Sequence, residues 1–134
     1  MTAAKSFVDS NIFIYLLSDD SVKRNMEQQL LLATHLISTQ LIAESVNFCL
    51  KKLKLSKEEA FAFGDKLLKS NEVRIINAST LELAFGISLK YNLSWWDSLI
   101  AAAALEGGCT TLYSEDMQHQ QIIEGHLTIT NPFK

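Results

Sequence analysis

Ser6-Phe7-Val8-Asp9-Ser10-Asn11 is a short apolar run that stops in turn-forming polar residues, the mark of a buried strand entering a loop. The chain beyond it repeats that alternation. Asn11–Leu17 is apolar and ambiguous, Asp19-Asp20-Ser21 is a loop or helix start, and Lys23–Thr34 has helical spacing. Leu36-Ile37-Ser38 is a second candidate strand. Thr39 can then cap a helix to about Leu53, with Ile42, Val46, Cys49, Leu50 and Leu53 on one stripe. Ser56 opens a helix over Lys57–Lys69, whose first turn carries Glu58 and Glu59, as the helix dipole favours.

The second half of the chain continues the alternation. Val73–Ile76, β-branched around Arg74, is a third strand. Ser79-Thr80-Leu81-Glu82 is a capping box for a helix to about Lys90, which fully accounts for Glu82. Ser94-Trp95-Trp96-Asp97 is another, opening an alanine-rich helix that ends at Glu106 before Gly107-Gly108. Thr110–Tyr113 is a fourth strand, a short helix is expected after Asp116, and Leu127–Thr130 is a fifth strand. Such alternation implies crossover connections: an α/β protein whose central, mostly parallel five-stranded sheet is covered on both faces. Ligands of open parallel sheets collect beyond the carboxyl ends of the strands, where strand order reverses. Asp9 and Ser114-Glu115-Asp116 stand at such ends.

Composition bounds the rest. With 134 residues, 48% hydrophobic and 20% charged, one Pro and five Gly, the chain has the makings of one domain over 1–134 with long helices. No apolar run approaches the ~20 residues of a membrane span, and Lys5 and Asp9 interrupt any signal-peptide core, so a cytoplasmic protein is expected. Cys49 and Cys109 are expected to be buried thiols, and the three histidines lack zinc-ligand spacing. A net charge of −3 argues against holding nucleic acid by bulk charge, but not against recruiting phosphates through metal ions.

Most acids sit among polar neighbours on solvated faces. Asp9, flanked by apolar residues, is either a turn or cap residue or a functional group. Asp97 shares a helical stripe with Ile100, Ala101 and Ala104, so its carboxylate is either explained by Ser94 or needs a compensating cation. Asp116 can cap the helix expected after it. Glu44 points away from its helix's apolar stripe, and periodicity alone makes it a solvated residue. Carboxylates gathered in one cleft stay ionised only when cations neutralise them, and Mg²⁺ and Mn²⁺ prefer such oxygen donors. No GxSxG or Walker A motif offers a different chemistry.

Four segments, in order, resemble the signatures of the PIN-domain family: Phe7-Val8-Asp9-Ser10-Asn11, Gln40-Leu41-Ile42-Ala43-Glu44, Trp96 through Ala103, and Leu112 through His119. Leu127–Phe133 is similar to the last strand and tail of VapC-type members. The resemblance implies a three-layer α/β/α sandwich and a metal-dependent endoribonuclease, the toxin of a toxin–antitoxin pair. It implies that Asp9, Glu44, Asp97 and Asp116 bind Mg²⁺ or Mn²⁺, two ions when substrate is bound, and that Asn11 and Ser114 orient the first aspartate and metal waters. It also implies a homodimer silenced by a cognate antitoxin. Two positions depart from the family's habit: Gln118, where many relatives carry a further acid, and Gln120, where close relatives have glycine.

Two other features stay open. Lys51, Lys52, Lys54 and Lys57 are either RNA contacts or a solvated helix end. Trp95 and Trp96 can stack a base or pack into the core or a dimer interface, and Phe61, Phe63 and Leu67 face the core or a partner. Two rival functions remain: a catalytically silent PIN-like partner-binding module, and an aspartyl-phosphate phosphatase. Asn11 counts against the phosphatase, which normally has a second Asp at that position.

Overall fold

The computed structural model describes residues 5–10, 12 and 35–134. Asn11, the ambiguous stretch after it and the helix expected over Lys23–Thr34 lie outside the described residues. The elements are β1 (Lys5–Val8), β2 (Leu36–Ser38), α1 (Thr39–Lys51), α2 (Lys57–Ser70), β3 (Glu72–Arg74), α3 (Ala78–Tyr91), α4 (Trp95–Glu106), β4 (Cys109–Tyr113), β5 (Ile122–Ile123) and β6 (Leu127–Thr130). They build one sheet in the order β3-β2-β1-β4-β6-β5. Every pairing is parallel except β5 with β6. Among the described residues the sheet therefore has six strands where five are expected. β5 is only two residues long, too short to show alternation.

Successive strand residues face opposite sides, and this divides the core in two. Phe7 and Leu36 join Ala84, Ile87, Leu99 and Leu112 beneath α3 and α4. Val8 and Ile37 join Leu41, Ile42 and Leu67 beneath α1 and α2. The result is the expected three-layer sandwich. Ala101, Ala102, Ala103 and Ala104 are all fully buried, so α4 presents methyl groups to its surroundings on every side. The helix stops at Gly107, where a Cβ would collide with the Leu36 side chain, and Gly108 turns the chain into β4 at φ +76°. Cys49 and Cys109 are buried free thiols, as expected. Among the described residues, no helix is long and apolar enough to cross a membrane.

Helix starts follow capping chemistry, with shifts of one or two residues. Ser38, not Thr39, caps α1, its hydroxyl accepting from Leu41 N at 3.1 Å. Ser56 and Glu59 form a reciprocal capping box on α2. The box on α3 is Asn77 with Thr80, not Ser79 with Glu82: Asn77 Oδ1 accepts from Thr80 N at 3.2 Å. The Ser79 hydroxyl instead lies within donating distance of Asn77 Oδ1 (2.7 Å) and Glu106 Oε2 (2.8 Å), so the cap no longer explains Glu82. Asn77→Ala is expected to cost about 1 kcal/mol in urea unfolding, and Ser79→Ala clearly less. Equal losses would return the cap to Ser79.

No helix follows Asp116. Residues 115–117 bend, and Ser114 rather than Asp116 takes a backbone N–H, from Met117 at 3.4 Å. Gln120 adopts φ +70°, a left-handed conformation that glycine enters at less cost. Its N–H donates to Ile129 O at 2.7 Å, so the turn is kept without the glycine.

Candidate active site

Strand order reverses between β1 and β4: from β1 the chain builds outward to β2 and β3, then returns to place β4 on the other side. Asp9 is the first residue beyond β1. Its N–H donates to Tyr113 O at 2.9 Å, and Ser114 N donates to Thr130 O at 3.0 Å, so both are pinned to the sheet's end. The Asp9 side chain is 5% exposed. Its Oδ1 accepts from Ser10 N at 2.6 Å and its Oδ2 from Ser114 Oγ at 3.0 Å. Burial pushes the Asp9 carboxyl up to about 6. The Ser10 and Ser114 hydrogen bonds oppose that rise, and the charges of Asp97 and Glu44 add to it.

Glu44 arrives from α1, half-buried rather than solvated. Gln40, one turn earlier, donates to its Oε1 at 2.7 Å. Ser10 Oγ lies 3.4 Å from both Glu44 Oε2 and Asp9 Oδ1, bridging the two acids. Asp97 stands in the first turn of α4, where its N–H donates to Ser94 Oγ at 3.1 Å. Burial raises its carboxyl, a hydrogen bond with Ser94 opposes this, and the charge of Asp116 adds to it. Asp116 is exposed on the bend after β4. Fields thus link Glu44 to Asp9, Asp9 to Asp97, and Asp97 to Asp116. Ser114 sits where it can orient Asp9, and Asn11 lies outside the described residues.

Ser10 and Gln40 are the two contacts that sequence reading did not single out. Ser10's place beside Asp9 was a usable signal; Gln40's i,i+4 spacing to Glu44 mattered only once Glu44 had a role.

Among the described residues, no three His, Cys, Asp or Glu side chains could hold an ion together as they stand. The chemistry of the site still fits a hard divalent cation. The donors are all oxygens, and no described Lys or Arg forms an ion pair with any of the four acids. The ion pairs Lys69–Asp65 and Lys90–Glu124 lie elsewhere. A carboxylate as buried as Asp9, beside two like charges, has its ionised form stabilised most by a cation.

An open, mostly parallel sheet with acids at its switch point defines a class of α/β proteins with a carboxylate-lined cleft. The PIN domain family model matches residues 6–124, and the chain belongs to that family. No curated protein sequence matches it. Solved structures share the fold. A toxin–antitoxin complex from Klebsiella pneumoniae is similar at 21% identity and a TM-score of 0.72, covering 96% of this chain and 98% of that one. DNA-bound VapBC from Salmonella typhimurium is similar at 16% identity and a TM-score of 0.73, covering 97% and 99%. VapC20 of Mycobacterium tuberculosis, a sarcin–ricin-loop-cleaving toxin, is similar at 16% identity and a TM-score of 0.66, covering 81% and 87%.

Proposed function

We propose that this protein is a metal-dependent endoribonuclease, the toxin of a type II toxin–antitoxin pair acting in the cytoplasm. One observation carries the reading: a buried Asp9 at the β1/β4 switch point, electrostatically joined to Glu44 and Asp97, and through Asp97 to Asp116. Asp9, Glu44, Asp97 and Asp116 would hold Mg²⁺ or Mn²⁺, two ions with substrate bound. Held there, such an ion would supply positive charge to activate a water and steady the leaving oxygen. Ser114 and Ser10 fix the Asp9 carboxylate, and Gln40 fixes that of Glu44, so the acids keep one orientation as charge moves. The water oxygen would bond to phosphorus and release a proton to solvent, the P–O3′ bond would break, and the 3′ oxygen would take a proton from solvent. The products carry 5′-phosphate and 3′-hydroxyl ends.

A cognate antitoxin covering the acidic cleft is the expected partner, in keeping with the toxin–antitoxin complexes that share the fold. Leu81, Phe85 and Leu89, exposed at i, i+4 and i+8 of α3, supply apolar surface of the kind a second copy would cover in a homodimer. A second reading, a silent partner-binding module, draws on the lack of a preformed three-residue cage among the described residues.

Inducible expression of wild-type and Asp97→Asn protein separates the two. Growth arrest and new RNA 5′-phosphate ends are expected with the wild type alone. Arrest by both proteins, without new ends, would favour the silent module.

A further inference from the structure

The two adjacent tryptophans have different fates. Trp95 is half-buried, stacks on Phe85 with ring centroids 5.2 Å apart, and packs against the core beneath α3 and α4. Trp96 belongs to neither core cluster and is 59% exposed, although it immediately precedes Asp97. Neither described core cluster uses its ring.

Trp96 forms one wall of an open groove of about 560 Å³ whose other wall is α1, through Gln40, Ala43, Glu44 and Asn47. Those positions recur at i, i+3, i+4 and i+7, so they form a single helical face, and Lys51 continues it at the basic end of α1. The groove thus starts at Glu44, which Ser10 ties to Asp9, passes an exposed indole and the Asn47 amide, and leads toward a lysine.

We propose that this groove is the subsite for a base adjoining the scissile phosphate of single-stranded RNA. Trp96 stacks the base, Asn47 meets its hydrogen-bonding edge, and the strand leaves over Lys51. This rests on the nuclease reading and names the side chains that would seat the base beside the cleavage point. An indole face beside the acids offers stacking to any base, but only an unpaired base can be splayed onto it. The amide supplies both a donor and an acceptor. The four acids repel phosphate, so a cation at the far end of the groove gives the departing backbone its compensating charge.

The tests separate the subsite from catalysis. Trp95→Phe/Asp97→Asn protein carries Trp96 as its sole tryptophan and is expected to leave RNA intact. Its emission should be quenched by (U)12 and (A)12 oligoribonucleotides, and much less by a 12-base-pair RNA duplex. In the otherwise wild-type protein, Trp96→Ala should raise KM about ten-fold with kcat little changed, and Trp96→Phe should restore most of the loss. Lys51→Ala should lower the salt slope of binding by about one.

Unquenched Trp96 together with an unchanged KM in Trp96→Ala would overturn the subsite even while the wild type cleaves, and would leave the groove to a protein partner. Equal quenching by duplex would overturn the single-strand assignment, and an unchanged salt slope in Lys51→Ala would overturn the path of the strand. Quenching by single strands in a protein whose wild type never cleaves RNA would sink the nuclease reading and, with it, the place of this base beside a scissile phosphate, leaving only a groove that binds single strands.

Discussion

Asp9→Asn protein is expected to lose RNA cleavage by at least about 100-fold, the scale on which loss of a group stabilising transition-state charge is felt, while remaining folded. The substitution is close to isosteric. Asn Oδ1 still accepts from Ser10 N, and the new amide can donate to Ser114 Oγ, whose hydroxyl otherwise donates to Asp9 Oδ2. What disappears is the charge. In metal-free buffer at pH 7.5 its loss should leave the variant more stable than the wild type, on the order of 1–3 kcal/mol, because a buried carboxylate beside Asp97 and Glu44 is relieved. A variant both inactive and clearly less stable would place Asp9 in the fold rather than the chemistry. Cleavage at the wild-type rate with Mn²⁺ present would remove it from the site.

The second large effect concerns pH and divalent ions together. The Asp9 carboxyl is pushed from 3.8 to about 6 in the folded chain, so the native state holds a proton that the unfolded chain has already released. Where the folded protein binds more protons, stability falls as pH rises. Metal-free wild type should therefore lose about 2–3 kcal/mol from this group between pH 4 and pH 6, with Asp97 contributing in the same direction. Urea unfolding at fixed pH values measures the slope, and Asp9→Asn should flatten it. Adding Mn²⁺ at pH 7.5 should raise wild-type stability by mass action, an effect that fades below pH 6 as protons compete for the carboxylate. EDTA should abolish cleavage, and Mn²⁺ or Mg²⁺ should restore it. Identical pH slopes for wild type and Asp9→Asn, with no shift from Mn²⁺, would remove the cation from the proposal.

The fold was legible wherever local chemistry and long-range packing agreed. Phe7-Val8, Leu36-Ile37 and the alanine run of α4 are apolar because they are covered, and their burial follows from composition alone. Helix starts were legible to within a residue or two because several hydroxyl and amide side chains compete for the same N–H groups. Ser38 and Asn77 prevail over Thr39 and Ser79 through backbone conformation, which sequence does not display. The helix expected after Asp116 fails for a different reason. Ser114 is drawn down to Asp9, and the chain bends at once toward the two-residue β5.

Glu44 and the tryptophan pair mark the limit of reading a site from sequence. On pattern Glu44 is a surface residue, and only the pairing of β1 with β2 and the packing of α1 over the sheet bring it within 3.4 Å of Ser10. Trp95 and Trp96 are equivalent by composition, yet the direction of the first turn of α4 packs one against the core and leaves the other exposed.

Alternating apolar segments, capping residues and the ordered acid-bearing motifs were enough to establish an α/β sandwich of the PIN family, because hydrophobic burial and helix capping act over a few residues and leave their trace in the chain itself. Which acids share a field, which serines hold them and which tryptophan faces solvent were decided by tertiary structure. Those relations join residues up to about a hundred positions apart, and only the strand order at the β1/β4 reversal sets the distances over which charges and hydrogen bonds act.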